Sequence, residues 1–256
     1  MLDLLLVNAP SRARVYGPLT EFAAIEPPVW AGLIARAAMN AGFSVRILDA
    51  EAEGLTITET AFRSIAAAPR LIAFSIYGQQ PSASTQCLPS ASAICRAIKN
   101  EGVLIPTLAF GTHPSALPQR MLQEEPFDYV AQGEGVRTVL DLLLEKGKRS
   151  HGLWWEEGGL PWANAASLVN ALDLDAELPS QAWDLLDMKR YRAHNWQNFG
   201  QPEAWRNQYA SIYTSLGCPY SCSFCCINAP FEEGNNLKFD GRANSYRMWS
   251  AERVAD

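Results

Sequence analysis

Three cysteines near the end of the chain have the spacing of metal ligands. Cys218, Cys222 and Cys225 form a C-x3-C-x2-C pattern directly after a run rich in β-forming residues, 209–214. A loop after a strand can turn three thiolates toward one point, and soft thiolate ligands suit iron–sulfur coordination. Three ligands on a four-iron cluster leave one iron open, where a small molecule can bind and be reduced. The spacing therefore predicts a [4Fe-4S] cluster held by these three cysteines.

Two other interpretations of this loop stay open. Cys226 could be a fourth ligand, although its side chain is expected to point away because it follows Cys225 directly. A structural zinc site normally has four Cys or His ligands. The three histidines of the chain, His113, His151 and His194, are all distant from the loop in sequence. The short ligand set favours iron–sulfur over zinc.

The residues before the cysteines alternate short apolar runs with helical patterns. This alternation predicts five strands and five helices in about 145 residues, which is typical of an α/β domain with a parallel sheet and crossover helices. The strands are expected at 4–8, 44–49, 71–77, 104–110 and 129–132, and the helices at 28–40, 58–67, 90–100, 115–123 and 136–144. We expect a five-stranded parallel sheet of the flavodoxin or Rossmann type over residues 1–145.

Three glycine-bearing loops follow the third, fourth and fifth predicted strands. In open parallel sheets, ligands bind beyond the carboxyl ends of the strands, and glycine lets the backbone approach a ligand closely. A single glycine there is often only a turn residue, but three such loops on one edge predict a crevice. The candidate binding residues are Tyr77 and Gly78 in the first loop, Gly111, Thr112 and His113 in the second, and Gly133, Glu134 and Gly135 in the third.

The rest of the chain divides into two further regions. Residues 146–207 are rich in turns and aromatics and predict a linker with a short hairpin at 152–162. Residues 208–256 carry the cysteine loop. Cys87 and Cys95 lie eight positions apart in a helical pattern and are expected in the core.

The amino-acid composition limits which binding partners and which cellular compartment are expected. The net charge of −6, without a long basic run, argues against nucleic-acid binding. No apolar run reaches the roughly 18 residues that a membrane-spanning helix needs. Three closely spaced cysteines suit a metal cluster in a reducing compartment better than a disulfide framework. These features predict a cytoplasmic protein with no membrane or nucleic-acid partner.

The cysteine loop resembles that of the radical S-adenosylmethionine (radical SAM) superfamily. The resemblance covers Gly-Cys-Pro-Tyr-Ser-Cys-Ser-Phe-Cys at 217–225, with Phe224 before the last cysteine. It implies that S-adenosylmethionine chelates the open iron, and that one-electron reduction releases a 5'-deoxyadenosyl radical which attacks a small-molecule substrate. It also implies that Phe224 lies near the adenine, and that an electron donor such as flavodoxin or ferredoxin serves the cluster.

The first 145 residues and the linker resemble the cobalamin-binding subgroup of that superfamily, which includes many methyltransferases and the anaerobic tetrapyrrole ring cyclase. The matching residues are Glu26-Pro27-Pro28, the loops at 111–114 and 133–135, residues 184–187 and Tyr191. The resemblance implies that these loops face the corrin and that the reaction is methyl transfer or related radical chemistry. The Asp-x-His-x-x-Gly motif of other cobalamin proteins is absent, so base-off binding is expected and His113 is not expected to bind cobalt.

The region after the cysteines limits what can be expected of this chain. Residues 227–256 can supply only the first strand–loop–helix unit of a partial β/α barrel, since a full barrel needs about 200 residues or more. We therefore expect the N-terminal portion of a longer enzyme, with 208–256 as the start of its radical SAM domain. The alternative is a non-catalytic corrinoid and cluster-binding module that acts with a separate catalytic chain. The substrate is not encoded in these residues.

Overall fold

A computed structural model describes residues 1–78, 83–169, 174–194, 205–220, 222–231 and 246–255. Within these ranges the chain is built on one seven-stranded sheet with the order β2-β1-β3-β4-β5-β6-β7. The strands are β1 (Leu4–Asn8), β2 (Val45–Asp49), β3 (Leu71–Ile76), β4 (Thr107–Gly111), β5 (Tyr129–Ala131), β6 (Leu153–Glu157) and β7 (Leu160–Ala163).

The first five strands are parallel and have the flavodoxin-like order 2-1-3-4-5. Strands β1, β3 and β4 are buried almost throughout, as expected for strands covered by helices on both faces. The parallel α/β arrangement expected from the sequence is confirmed for these five strands.

The expected strand count of five is wrong for the whole sheet. The hairpin expected at 152–162 forms β6 and β7, and β6 pairs antiparallel with β5, so the sheet continues past residue 145. Trp154 explains this attachment, since its side chain is buried and its indole Nε1 donates to Gln132 Oε1 at 2.9 Å. A hairpin pattern in the sequence does not specify with which strand of a sheet the hairpin will pair.

Helices cover both faces of the sheet. One face packs against α2 (Val29–Asn40) and α8 (Val136–Leu143). The other face packs against α4 (Ile57–Ala66), α5 (Ser84–Asn100) and α7 (Pro118–Glu124). The shorter helices are α1 (Arg12–Tyr16), α3 (Ala50–Glu53), α6 (Thr112–Ala116), α9 (Leu174–Glu177) and α10 (Ala251–Ala255). Within the described ranges, no helix is long and apolar enough to cross a membrane.

Two helices differ from their expected bounds because of proline. Helix α5 begins at Ser84 rather than residue 90 and contains Pro89, which the sequence pattern treats as a boundary. The helix expected at 115–123 is two helices, α6 and α7, because Pro118 begins a new first turn. The predicted burial of Cys87 and Cys95 is confirmed.

The C-terminal region has less regular structure than expected. The run 209–214 is irregular, and the strand begins only at β8 (Ser215–Leu216), which pairs antiparallel with β9 (Arg247–Met248). Side chains of the linker hold the irregular run in place, because Gln181 Nε2 donates to the Ser211 carbonyl at 2.8 Å. Residues 232–245, which follow the cysteine loop, lie outside the described residues.

The linker is anchored at the carboxyl ends of β1 and β2. The hydroxyl of Tyr191 donates to Asp49 Oδ2 at 2.8 Å, and Asn8 Nδ2 donates to Asp49 Oδ1 at 2.8 Å. Burial raises the pKa of Asp49 to about 6, although these hydrogen bonds favour its charged form. Tyr191 is almost fully buried, so its anchor lies inside the domain.

The Asp49 anchor gives a testable dependence of stability on pH. The folded-state pKa of about 6 exceeds the ordinary value of 3.8, so the stabilisation is fully present below pH 3.8 and is lost as pH rises through 6. As the pH rises from 3.8 to 6, the unfolding free energy of the wild type should fall by about 3 kcal/mol more than that of Asp49→Asn. Urea unfolding followed by circular dichroism at several pH values measures this difference.

Asp3→Asn is a matched control with the opposite slope. Hydrogen bonds from Ser44 lower the pKa of Asp3 to about 2, so its contribution is present above pH 3.8 and is lost as pH falls toward 2. Parallel wild-type and Asp49→Asn profiles between pH 4 and 6.5 would contradict the burial of a titrating carboxyl at this anchor.

Candidate functional site

A crevice of about 490 Å³ opens at the carboxyl ends of β1 and β3. The order of strands along the chain reverses between these two strands, and open α/β sheets bind ligands at this point. Residues from the sheet edge and from α2 line one side, among them Asn8, Glu26, Trp30 and Tyr77. Residues 209–213, which lead toward the cysteine loop, line the other side.

Tyr77 provides a polar group inside the crevice. Its ring stacks on Trp30, with centroids 5.2 Å apart and an interplanar angle of 10°. Its hydroxyl is buried and has no hydrogen-bond partner among the described residues. Burial raises the pKa of Tyr77 well above its usual value, so the group is a neutral phenol at physiological pH. A buried hydroxyl without a partner costs roughly 1–3 kcal/mol, which a bound polar ligand can recover.

Tyr77 also borders a second, smaller cavity of about 180 Å³. Thr112, Gly217 and Ile227 line this cavity together with Tyr77, so it lies between the crevice and the cysteine loop. Next to Tyr77, Gly78 packs so closely on Ala83 that a Cβ would overlap it. The following loop residues, 79–82, lie outside the described residues.

The loop after β4 needs glycine. Gly111 has a φ of +142°, and a Cβ there would overlap the Ile76 carbonyl of the neighbouring strand. Thr112 follows as the buried first residue of α6. The His113 ring is held by α5, since Nδ1 lies 2.7 Å from Thr85 Oγ1, and burial lowers its pKa. The structure thus brings Thr112 to the smaller cavity, places Gly111 against the backbone of β3, and bonds one ring nitrogen of His113 within the protein.

The loop after β5 is tied to the loop after β4. Ser115 Oγ donates to the Gly133 carbonyl at 3.0 Å and accepts from the Gly133 N–H at 3.2 Å. Gly135 adopts a φ of +80° and packs against Phe110. Two of the three predicted loops therefore form one connected edge.

Glu134 has a different environment from the one expected of a cofactor contact. Its side chain is almost fully buried, and its Oε1 accepts from the equally buried Arg247 guanidinium. Its Oε2 accepts from the Val169 N–H at 2.7 Å, and Arg247 Nη1 donates to the Val169 carbonyl at 2.6 Å. Both carboxylate oxygens of Glu134 are thus bonded inside the protein.

This ion pair connects the loop after β5 with the strand pair that leads to the cysteine loop. Arg247 lies in β9 opposite Leu216 of β8, and β8 leads within two residues to Cys218. Arg247 also lies over the ring of Phe231, 6.0 Å from its centroid. Sequence reasoning missed Arg247, because its partner Glu134 is 113 positions away and no local pattern connects them.

The cysteine loop carries free thiols. Cys222 is exposed, while Cys218, Cys225 and Cys226 are half-buried. Within the described ranges, which omit Ser221 from this loop, no three His, Cys, Asp or Glu side chains are grouped as a metal site. Phe224 is 91% exposed. The cluster ligands and the adenine contact stay predictions.

Comparisons with known proteins agree with this geometry. Residues 17–143 match the family model of the B12 binding domain. The chain is 27% identical over 219 residues to an uncharacterized methyltransferase of Pyrococcus horikoshii, covering 83% of this chain and 41% of that protein. It is 26% identical over 207 residues to the anaerobic magnesium-protoporphyrin IX monomethyl ester cyclase of Synechocystis, covering 78% of this chain and 38% of that protein.

Solved structures share the fold. The cobalamin-dependent S-adenosylmethionine radical enzyme OxsB, with aqua-cobalamin and S-adenosylmethionine bound, has a TM-score of 0.68 at 20% identity, covering 99% of this chain and 30% of that chain. The radical S-adenosylmethionine methyltransferase TsrM of Kitasatospora setae, with cobalamin and a [4Fe-4S] cluster bound, has a TM-score of 0.62 at 17% identity, covering 100% of this chain and 45% of that chain. The chain spans about two fifths of the curated relatives described above.

The Glu134–Arg247 pair predicts a large effect on stability. Glu134→Gln removes the carboxylate that faces a buried guanidinium, so we expect a loss of about 3–5 kcal/mol in unfolding free energy. Adding Arg247→Met should recover part of this loss, because the double variant no longer buries a charge there. Urea unfolding followed by circular dichroism measures both variants.

Glu124→Gln is the matched control. It breaks the Arg120–Glu124 pair, in which both side chains are more than half exposed, and should cost less than about 1 kcal/mol. Equal losses for Glu134→Gln and Glu124→Gln would show that burial does not strengthen the Glu134–Arg247 pair.

Proposed function

We propose that this chain, of which residues 17–143 match the family model of the B12 binding domain, is the cofactor-binding part of a cobalamin-dependent radical SAM enzyme. The proposed reaction class is methyl transfer, or related radical chemistry, on a small molecule. The observation that carries the proposal is the crevice at the β1/β3 switch point. It is lined partly by residues of the family match, among them Glu26, Trp30 and Tyr77, and partly by residues 209–213, which lead to the cysteine loop.

The residues of the crevice fit a corrin. A corrin is a broad ring with amide side chains, so it needs flat apolar contacts together with a few hydrogen-bonding groups. The stacked Trp30 and Tyr77 rings offer the apolar contacts, and the buried Tyr77 hydroxyl offers a donor. Glu26 adds a half-buried carboxyl whose pKa is raised by burial.

The cysteine loop offers the ligand set for the second cofactor. Cys218, Cys222 and Cys225 would bind three irons, and the exposed Phe224 would contact the adenine of S-adenosylmethionine. When bound, the cluster would supply one electron for cleavage of the sulfonium, and cobalamin would carry the methyl group. A small one-electron donor such as flavodoxin or ferredoxin is the proposed partner.

The role of the protein's own residues is positioning. Ser115 fixes the Gly133 backbone in the loop after β5, and Glu134 fixes the strand pair that leads to Cys218. Phe231 and Trp30 pack between these parts, with ring centroids 5.8 Å apart, and exclude water from the contact. The residues thus hold the two proposed cofactor sites side by side.

Cobalamin binding is tested with Tyr77→Phe. The change removes only the hydroxyl, and one hydrogen bond of about 0.5–1.5 kcal/mol predicts an increase of roughly 2- to 12-fold in the dissociation constant for hydroxocobalamin. Titration followed by visible absorption of the corrin measures this constant. Tyr129→Phe is the control, because Tyr129 begins β5 and therefore lies at the amino ends of the parallel strands, whereas the crevice lies at their carboxyl ends. If wild-type protein does not bind cobalamin, the corrin assignment is wrong.

The cluster is tested by single cysteine substitutions after anaerobic reconstitution with iron and sulfide. Cys218→Ser, Cys222→Ser and Cys225→Ser should each lose most of the bound iron and the EPR signal of the reduced cluster, because each removes one thiolate ligand. Cys226→Ser is the control and should retain both. Stoichiometric zinc without a reducible cluster would contradict the proposal. Cobalamin binding without any cluster would instead support the non-catalytic binding module.

A further inference from the structure

The side chain of Asn228 makes three hydrogen bonds to the backbone of the cysteine loop. Its Oδ1 accepts from the Cys218 N–H at 2.8 Å. Its Nδ2 donates to the Cys218 carbonyl at 3.1 Å and to the Tyr220 carbonyl at 3.2 Å. One amide thus bonds both backbone polar groups of Cys218, and its Nδ2 also donates to the Tyr220 carbonyl.

These bonds are partly shielded from solvent. Asn228 is 3% exposed, so little water competes for its partners. An unpaired amide or carbonyl in such a place costs roughly 1–3 kcal/mol, which favours the bonded arrangement of the loop. Asparagine is the side chain that can accept once and donate twice over this short reach, whereas an aspartate offers no donor.

Asn228 is in turn fixed to the domain core. Its carbonyl accepts from the Phe231 N–H at 2.8 Å. Phe231 is buried and packs against Trp30, a crevice residue. A continuous set of contacts therefore runs from the crevice through Phe231 and Asn228 to Cys218.

The other two cysteines of the motif are held differently. Cys225 N–H donates to the Cys222 carbonyl at 3.0 Å, which is a local turn within the loop itself. Cys222 is exposed. Among the hydrogen bonds of the described residues, Cys218 is the predicted ligand whose backbone is bonded by a buried side chain from outside the motif.

We propose that Asn228 is a positioning residue for the iron–sulfur site, holding the backbone of Cys218 so that its thiolate is presented to iron. This inference rests on the proposed function, since it presupposes a cluster at the three cysteines. Asn228 bonds the backbone on either side of the thiol and does not touch iron itself. Partners of this kind typically change metal affinity by about 10- to 100-fold.

The test compares three variants of the full chain. Asn228→Ala removes all three bonds. Asn228→Asp keeps the acceptor for the Cys218 N–H but faces two carbonyl oxygens with a carboxylate. Asn164→Ala is the matched control, because Asn164 Nδ2 also donates to two backbone carbonyls, those of Lys148 and Ser150, in a region remote in sequence from the cysteines.

The readouts are iron content after anaerobic reconstitution, the EPR spectrum of the reduced cluster, and the half-time of iron loss to a chelator. We expect both Asn228 variants to lose iron at least about 10-fold faster than the wild type, with Asn164→Ala unchanged. Melting temperatures separate this effect from general destabilisation, and Asn228→Asp decides the question if Asn228→Ala does not fold. Wild-type iron retention in the Asn228 variants would overturn the inference.

A second measurement separates this inference from the proposed function. Hydrogen exchange of the Cys218 backbone amide in the iron-free protein should accelerate in Asn228→Ala and not in Asn164→Ala. If the wild type binds no iron, the cluster proposal fails and the positioning role fails with it, whatever the exchange result. If the wild type binds iron and exchange at Cys218 is unchanged by Asn228→Ala, only the role of Asn228 is wrong.

Discussion

The buried ion pair between Glu134 and Arg247 is the constraint on which the arrangement of the two regions depends. Removing two charges from water costs several kcal/mol per ion, and this cost is offset only when the charges face each other and their remaining hydrogen bonds are made. The pair meets that condition through the N–H and carbonyl of Val169. Any shift of β9 away from the sheet edge would expose an unmatched charge to the apolar interior. The pair therefore fixes the relative position of both regions more strictly than apolar packing alone.

Short polar side chains, rather than large ones, hold the loops after β3, β4 and β5 in place. Ser84 Oγ donates to the Ile76 carbonyl and accepts from the His113 N–H, so α5 is joined to the ends of β3 and β4. Ser115 then joins the loop after β4 to Gly133. Because each hydroxyl both donates and accepts, one serine can connect two backbone segments. Glycines at these places are tolerated without loss of order, since the serines restrict the backbone.

Sequence patterns predicted the parallel part of the fold well, because it depends on local periodicity. The five parallel strands and α2, α4 and α8 lie within a few residues of their expected places. Patterns failed where the outcome depends on distant partners. The hairpin that forms β6 and β7 carries no local signal for its sheet edge. The run 209–214 is rich in β-forming residues but pairs with no strand in the part of the chain that the structure describes.

The contrast between local patterns and distant partners also explains which site residues could be predicted from the sequence. The place of Tyr77 at the cavities follows directly from its position after a buried strand, because ligand sites in this fold lie at that edge. Arg247 and Asn228 could not be assigned in the same way. Their roles depend on where a backbone from another part of the loop, or a carboxylate 113 residues earlier, comes to lie. The sequence alone does not distinguish a buried polar side chain from an exposed one, because the difference depends on its partners in the folded structure.

The two cavities that share Tyr77 suggest how the two proposed sites communicate. One side of Tyr77 borders the crevice and the other borders the smaller cavity lined by Gly217 and Ile227, which flank the cysteine motif. Rotation of the Tyr77 ring is restricted by its stacking on Trp30, and Trp30 packs on Phe231. A ligand that bonds the Tyr77 hydroxyl would therefore act on the same aromatic group that supports Asn228 and, through it, Cys218. Filling the crevice should restrict the cysteine loop through direct contacts, without requiring a rearrangement of the sheet.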